Sequence, residues 1–241
     1  MFLELFQNPK PVLAMLHLKG DTPEERLERA VSEADIYVQC GVDAMIVEDY
    51  YGDVNDVEKA IAYLREERPN YCLGVNVLDD FPKSYQLARD YCLSFMQVDS
   101  ICGHLDKAEE QAYLQMVDSY RQDGKVAVIG GVRFKYQPYL SGRSLAEDLV
   151  IGSQHCDAIA VTGAGTGEET DSEKISQFRQ VLGDFPLVVA AGLTKATLQE
   201  KLSIGDAAIV GSTFKDTRKD TGDVSAEHVC EFMDEVRRLF R

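Results

Sequence analysis

The chain alternates eight times between a short apolar run and a longer amphipathic run. The apolar runs predict strands at Val12–Leu18, Ala44–Glu48, Cys72–Leu78, Phe95–Val98, Val126–Phe134, Ala158–Thr162, Leu187–Ala191 and Ala207–Val210. The amphipathic runs, among them Pro23–Cys40, Pro82–Cys92 and Glu109–Gln122, predict helices. Short apolar strands that alternate with helices are typical of a parallel sheet covered on its outer side. Eight such units in 241 residues, with no linker between them, predict an α/β protein with one (β/α)8 TIM-barrel domain over residues 1–241.

Charge and composition narrow the range of partners. The formal net charge of −16 argues against a nucleic-acid partner or an anionic membrane surface. No segment approaches the ~20 apolar residues of a membrane span, and residues 1–10 lack the pattern of a signal peptide. The six cysteines are scattered without a C-x-x-C pair, which favours reduced, buried thiols. We therefore expect a cytoplasmic protein without membrane insertion, while a homo-oligomer remains open.

Three short glycine-containing turns follow the last three predicted strands. They contribute Thr162, Gly163, Gly165, Thr166 and Gly167 after the sixth strand, Gly192 after the seventh, and Gly211 and Ser212 after the eighth. Glycine lets the backbone approach a ligand closely, and anions bind where the last strands of a TIM barrel close. These turns predict a site for a small phosphorylated substrate, although each also fits a tight connection without a ligand. Lys215 either neutralises the phosphate or belongs to a solvated run with Asp216, Arg218 and Lys219.

Polar side chains end the earlier strands, where the chemistry of a TIM barrel takes place. His17 ends the first strand and either caps the barrel or takes part in the reaction. Glu48 ends an apolar strand, where a carboxylate needs a partner or a raised pKa, so it is a candidate catalytic group. Asn76 and Asp99 point toward the same mouth if strand alternation holds. Asp80 is interpreted as the cap of the third helix instead.

Two cations follow the fifth strand. Lys135 suits Schiff-base or proton-transfer chemistry if its surroundings are apolar, and an ion pair with the facing acids fits equally well. Arg133 has the same parity as Lys135 and fits a bidentate clamp on an anion. No cofactor is expected. A divalent metal held by His17, Glu48 and Asp99 is possible, but no H-x-x-H spacing supports it.

The chain resembles the BtpA/SgcQ family over nearly its whole length. The resemblance is carried by residues 11–18, 41–44 with Val47-Glu48, 74–78, 161–167 and 209–215. It implies a barrel of the ribulose-phosphate-binding type. Some family members are linked to photosystem assembly and others to sugar-transport gene clusters, so the family name implies no reaction.

The reactive side of the barrel departs from the family pattern. Family members tend to have Glu-Asn where this chain has Glu48-Asp49, Arg-Asn-Asp where it has residues 79–81, and Asn where it has Asp99. The family's Asp-x-x-x-Lys-His is replaced by residues 131–136, which keep only Lys135 of that pattern. The turns that suit an anion are retained, so the chain is identified as a divergent member.

The sequence thus predicts an enzyme that acts on a small phosphorylated sugar or related phosphate ester. Glu48, Asp99, Lys135 and His17 would perform acid–base or lysine chemistry, as in an isomerase, epimerase or aldolase-type lyase. Two alternatives stay open. One is a non-catalytic assembly or regulatory factor that keeps the barrel, and the other is a metal-dependent hydrolase or lyase.

Overall fold

A computed structural model describes residues 2–240 as a closed barrel of eight parallel strands. The strands are β1 (Val12–Leu16), β2 (Ala44–Glu48), β3 (Leu73–Asn76), β4 (Phe95–Cys102), β5 (Ala127–Val132), β6 (Ala158–Val161), β7 (Leu187–Ala190) and β8 (Ala207–Val210). Each strand pairs with the next, and β8 pairs with β1, with Leu13 opposite Ile209. The predicted (β/α)8 barrel is confirmed.

Within residues 2–240, eight helices alternate with the strands on the outside of the barrel. They are α1 (Pro23–Cys40), α2 (Val54–Glu67), α3 (Phe81–Asp90), α4 (Lys107–Arg121), α5 (Leu145–Gln154), α6 (Ser172–Leu182), α7 (Leu198–Ile204) and α8 (Ala226–Phe240). Short 3-10 helices lie at Phe2–Leu5 and Ser212–Phe214. No helix within residues 2–240 is long and apolar enough to cross a membrane.

Local sequence sets the helix boundaries. Thr22 caps α1 by accepting from the Glu25 N–H at 3.2 Å, and Gly41, with φ of 77°, ends that helix in the left-handed region that glycine favours. Asp80 caps α3 by accepting from the Lys83 N–H at 2.9 Å, which confirms its predicted capping role. Sequence and structure therefore agree on where these strand–helix units begin.

Most strands are shorter than predicted, namely β1, β3, β5, β6 and β7, whereas β4 is longer. β4 continues to Cys102 instead of ending at Val98, and its register against β5 shifts between Val98 and Cys102. The irregular segment contains the polar residues Asp99 and Ser100. Because they interrupt the apolar run, the hydrophobicity pattern predicts that the strand ends before them.

The barrel is filled at its N-terminal end, so the site lies at the opposite end. Phe2 is fully buried and packs edge-on against Phe95 with ring centroids 6.0 Å apart. Gly74 makes room for that ring, because a Cβ there would lie 2.3 Å from Cε2 of Phe95. A ligand therefore reaches the barrel from the C-terminal ends of the strands.

The expectation of six reduced thiols is wrong, because Cys40 and Cys230 form a disulfide. Cys40 ends α1 and Cys230 lies in α8, two helices that pack together where the barrel closes. The partners are 190 residues apart in sequence, so no local spacing reveals the pair. The remaining cysteines of residues 2–240 are free thiols, and Cys92 is exposed.

Candidate active site

A cavity of about 290 Å³ opens at the C-terminal ends of the strands. Nine of the fifteen predicted site residues line it: His17, Glu48, Asp99, Lys135, Thr166, Gly167, Gly192, Gly211 and Ser212. They come from seven different strand–helix units. The cavity is close to the lower limit for small-molecule sites, ~300 Å³.

The acidic wall of the cavity is built around one amide. Asn76 donates from Nδ2 to Oε1 of Glu48 at 2.8 Å and to Oδ1 of Asp99 at 3.1 Å. Gln97 donates from Nε2 to the same oxygen of Asp99 at 3.1 Å. The strand register explains this arrangement, because Glu48 at the end of β2 lies opposite Asn76 at the end of β3. The two carboxyl groups are therefore fixed close together at the barrel mouth.

The pKa values of both carboxyl groups are raised. Burial raises the pKa of Glu48 to about 8, and the neighbouring Asp99 charge adds to that rise. Burial also raises the pKa of Asp99, while the hydrogen bonds from Gln97 and Asn76 oppose the change. The pair therefore retains a proton near neutral pH, since like charges this close resist joint ionisation.

His17 is a buried, neutral imidazole beside the carboxyl pair. Its Nε2 lies 3.7 Å from Oε2 of Glu48, and its ring lies against Tyr50 with centroids 4.9 Å apart. Burial above all, together with the charges of Lys215 and Lys135, lowers its pKa to about 3. Its Nδ1 has no hydrogen-bond partner within residues 2–240.

Lys135 links the acidic wall to the turn after β6. Its charge lowers the pKa of Glu48 and that of Asp99, which shows that it acts on both. Its Nζ donates to Oγ1 of Thr166 at 3.1 Å, and its backbone N–H donates to Oγ1 of Thr162 at 3.0 Å. A single cation thus lies between the carboxyl pair and the glycine turns.

The turns after β6, β7 and β8 pack against one another on the opposite wall. At Gly192, with φ of 65°, a Cβ would lie 2.3 Å from the Cα of Glu169 in the turn after β6. At Gly167, with φ of 76°, a Cβ would lie 3.2 Å from Oγ of Ser212. Glycine is needed at both places, so backbone groups rather than side chains form this wall.

Two predicted cations bind other residues instead of facing the cavity. Arg133 donates from Nε to Oδ2 of Asp148 at 3.2 Å, in a backbone conformation with φ of 47°. Lys215 is buried and donates to Oε1 of Glu33 at 2.8 Å. The expectation that these side chains contact an anion is therefore corrected, and the solvated-surface interpretation of Lys215 is wrong.

The other predicted residues support the site from behind the cavity wall. Asn76 orients the carboxyl pair. Thr162 is fully buried and holds the backbone of Lys135. Gly163 lies against the backbone of Glu168 and Glu169, where a Cβ would lie 2.8 Å from either carbonyl oxygen. Gly165 lies beside the Glu168 side chain, where a Cβ would lie 3.0 Å from Oε1. These residues shape the site without lining it.

Two tyrosines and an aspartate at the mouth were not predicted. Tyr50 and Tyr51 donate to Oδ2 of Asp220 at 3.1 Å and 2.9 Å, joining the loop after β2 to the loop after β8. These partners are about 170 residues apart, so no sequence pattern signals the contact. Gln97, on β4 with Asp99, also lines the cavity. Within residues 2–240, no three His, Cys, Asp or Glu side chains are grouped so that they could hold a metal ion.

Comparisons with known proteins agree with the fold and identify the family. The chain is 26% identical to an uncharacterized protein of Pyrococcus abyssi, covering 95% of this chain and 97% of the other. It is 23% identical to the putative sgc region protein SgcQ of Escherichia coli, covering 99% and 98%. Phosphoribosyl anthranilate isomerase from Thermus thermophilus has the same fold, with a TM-score of 0.62, 16% identity, and coverage of 95% and 99%. The BtpA family model matches residues 8–238, and the chain therefore belongs to the BtpA family.

Proposed function

We propose that this chain is an enzyme that moves a proton on a small phosphorylated sugar or a related phosphate ester. The observation that carries the proposal is the division of the cavity into two walls. One holds the carboxyl groups of Glu48, which is buried, and Asp99, which is partly exposed, and the other consists of the glycine turns at Gly192 and Gly211. The comparison supports a phosphorylated substrate only by analogy, since phosphoribosyl anthranilate isomerase shares the fold.

The carboxyl pair would supply both the base and the acid. Asp99 accepts hydrogen bonds from Asn76 and Gln97, which favour its charged form, so it is the base. Glu48, with its pKa raised to about 8 by burial, is the acid. Asp99 takes a proton from the carbon next to a carbonyl, and the electrons of that C–H bond move onto the carbonyl oxygen. Glu48 gives its proton to that oxygen, which yields an enediol; return of a proton to carbon completes an isomerisation or epimerisation.

Lys135 has two possible roles in this scheme, and one variant separates them. As a cation it stabilises the negative charge that develops on the oxygen. As an amine its Nζ forms an imine with the substrate carbonyl and releases water, as in an aldolase-type lyase. Lys135→Arg keeps the charge but forms no imine, so a variant that remains active favours the first role. An inactive variant, together with covalent trapping of substrate on the wild type by borohydride, favours the second role.

The phosphate would lie on the backbone of the turns after β7 and β8. Gly192 and Gly211 line the cavity, and Ser212 and Thr213 begin the short 3-10 helix after β8. Glycine at both places lets the backbone of these turns approach the phosphate closely. This arrangement binds phosphate without a facing arginine, in keeping with the placement of Arg133.

The test is exchange of substrate hydrogen with solvent. The protein is incubated in D2O with ribulose 5-phosphate, xylulose 5-phosphate and fructose 6-phosphate, and loss of the carbon-bound proton signals is followed by NMR. Glu48→Gln and Asp99→Asn should each slow exchange by ~10²–10⁴-fold. Glu66→Gln and Lys125→Arg, at exposed positions, should leave exchange at the wild-type rate.

Three outcomes would count against this proposal. Exchange at the wild-type rate in both carboxyl variants would remove the carboxyl pair from the mechanism. Exchange that is lost with a chelator and restored by a divalent cation would favour the metal-dependent alternative. No exchange with any probe, combined with binding of the sugar phosphates, would favour the non-catalytic factor.

A further inference from the structure

One polar atom at the bottom of the cavity is buried without a partner. Gln97 is 4% exposed and lines the cavity, and its Oε1 accepts no hydrogen bond within residues 2–240. The orientation of its amide follows from Asp99, since the carboxylate accepts and the NH2 group must face it. The carbonyl oxygen is therefore directed away from Asp99.

The position of Gln97 in the strand places it deeper than the reactive carboxyl groups. Residues alternate across a strand, so Gln97 and Asp99 on β4 both point into the barrel, with Gln97 one layer further from the mouth. Met15 on β1 stands in the same relation to His17, which follows that strand, and Ile209 on β8 to Gly211, which follows that one. We call this deeper layer the floor of the cavity: Met15, Gln97, Ala190 and Ile209.

The floor is apolar except for Gln97. An unpaired carbonyl among Met15, Ala190 and Ile209 is unfavourable for folding, because buried polar groups are normally hydrogen-bonded. An apolar side chain at position 97 would pack there without that cost. A hydrogen-bond donor of a ligand that reaches the floor would pair with Oε1 of Gln97. A leucine at this position could not accept that hydrogen bond.

The chemistry of that donor follows from its surroundings. An ammonium group would have to leave water for a floor with no carboxylate of its own, which is costly for a charge. A hydroxyl group donates one hydrogen bond and carries no charge. The nearest charged pair, Glu48 and Asp99, lies one layer above and is already held by Asn76.

We propose that Gln97 is a specificity-determining residue whose Oε1 accepts a hydrogen bond from a hydroxyl group at the far end of the substrate. The substrate is then a polyhydroxylated chain, with its phosphate on the glycine turns and a hydroxyl on the floor. This inference rests on the proposed function, because it takes the phosphate position from it. The inference adds to the proposed function that the end of the substrate opposite the phosphate carries a hydroxyl group.

The test compares two series of phosphates by isothermal titration calorimetry. The first series is glycerol 3-phosphate, erythritol 4-phosphate and ribitol 5-phosphate, and the second is propyl, butyl and pentyl phosphate, with inorganic phosphate as the baseline. At the chain length that reaches the floor, the polyol phosphate should bind at least about tenfold more tightly than the alkyl phosphate. In Gln97→Leu that preference should vanish. Gln39→Leu, the same substitution at an exposed position on α1, should retain it.

The outcomes separate this inference from the proposed function. Equal binding of polyol and alkyl phosphates, or a preference that survives in Gln97→Leu, overturns the role of Gln97 while leaving the phosphate site in place. No binding of any phosphate, including inorganic phosphate, overturns both. If Gln97→Leu does not fold, Gln97→Met is used, whose unbranched side chain follows the path of the glutamine and also lacks the acceptor.

Discussion

Glu48 and Asp99 are joined by a single amide, since Nδ2 of Asn76 donates to both carboxyl groups, at 2.8 Å and 3.1 Å. An amide can stabilise two carboxyl groups at once but cannot remove the repulsion between two carboxylates. The pair therefore keeps one proton at a pH where isolated carboxyl groups have lost theirs. This shared proton is what gives the cavity an acid and a base together.

The raised pKa of Glu48 predicts that stability falls as the pH rises. Its pKa in the folded chain is about 8, above the ordinary value of 4.5, so its contribution is complete below about 4.5 and is lost as pH rises through 8. Because the lowered pKa of His17 gives the opposite slope below about pH 6.5, the free energy of unfolding of the wild type should decrease mainly above that pH, by at most about 1.4 kcal/mol per pH unit from Glu48. Glu48→Gln should flatten the dependence, and urea unfolding at pH 5, 6, 7 and 8 measures it. Glu66→Gln, on the exposed face of α2, should keep the wild-type slope. Equal slopes in all three proteins would show that Glu48 ionises normally.

We predict that the turn after β7 requires glycine for two reasons, the left-handed backbone conformation and the close contact with the turn after β6. Gly192 and Gly124 have similar φ angles, 65° and 61°, but a Cβ at Gly124 would meet no atom within 4 Å. Gly124→Ala should therefore cost about 1–2 kcal/mol for the left-handed conformation alone. Gly192→Ala should cost more and weaken phosphate binding, because its Cβ would collide with the backbone of Glu169. Urea unfolding with and without inorganic phosphate measures both effects, and equal costs would contradict the packing of these turns.

The disulfide between Cys40 and Cys230 is predicted to stabilise the closure of the barrel. It spans 190 residues, and a cross-link over so long a loop restricts the unfolded chain strongly. Cys230→Ser should lower the free energy of unfolding by about 2–5 kcal/mol. Cys92→Ser, at an exposed free thiol, should have little effect. Thiol titration of the unfolded, unreduced protein should find four free groups, and finding six would contradict the pair.

The sequence predicted the fold and much of the reactive wall for the same reason. In a parallel barrel every strand ends at one mouth, so reading the residues at or just after each predicted strand end places Glu48, Asp99 and Lys135 together. That rule failed for Arg133, because β5 ends at Val132 and alternation does not continue into a residue with φ of 47°. It failed for Lys215, because its partner Glu33 lies on α1, 182 residues away.

Long-range pairs account for the other differences. The disulfide and the contacts of Asp220 with Tyr50 and Tyr51 join the beginning of the chain to its end. Such contacts depend on how the barrel closes and leave no local signal. The role of Gln97 was hidden for another reason, since only the three-dimensional surroundings show which of its atoms lacks a partner.

The most direct test of the account is the titration of Glu48 itself. Carbon-detected NMR of the side-chain carboxyl groups, in the wild type and in Asp99→Asn, reports the ionisation of Glu48 between pH 4 and pH 9. We expect a midpoint near 8 in the wild type and a lower one in Asp99→Asn, because the Asp99 charge contributes to the shift. A wild-type midpoint near 4.5, unchanged in Asp99→Asn, would mean that the pair shares no proton at neutral pH and would contradict the proposed chemistry.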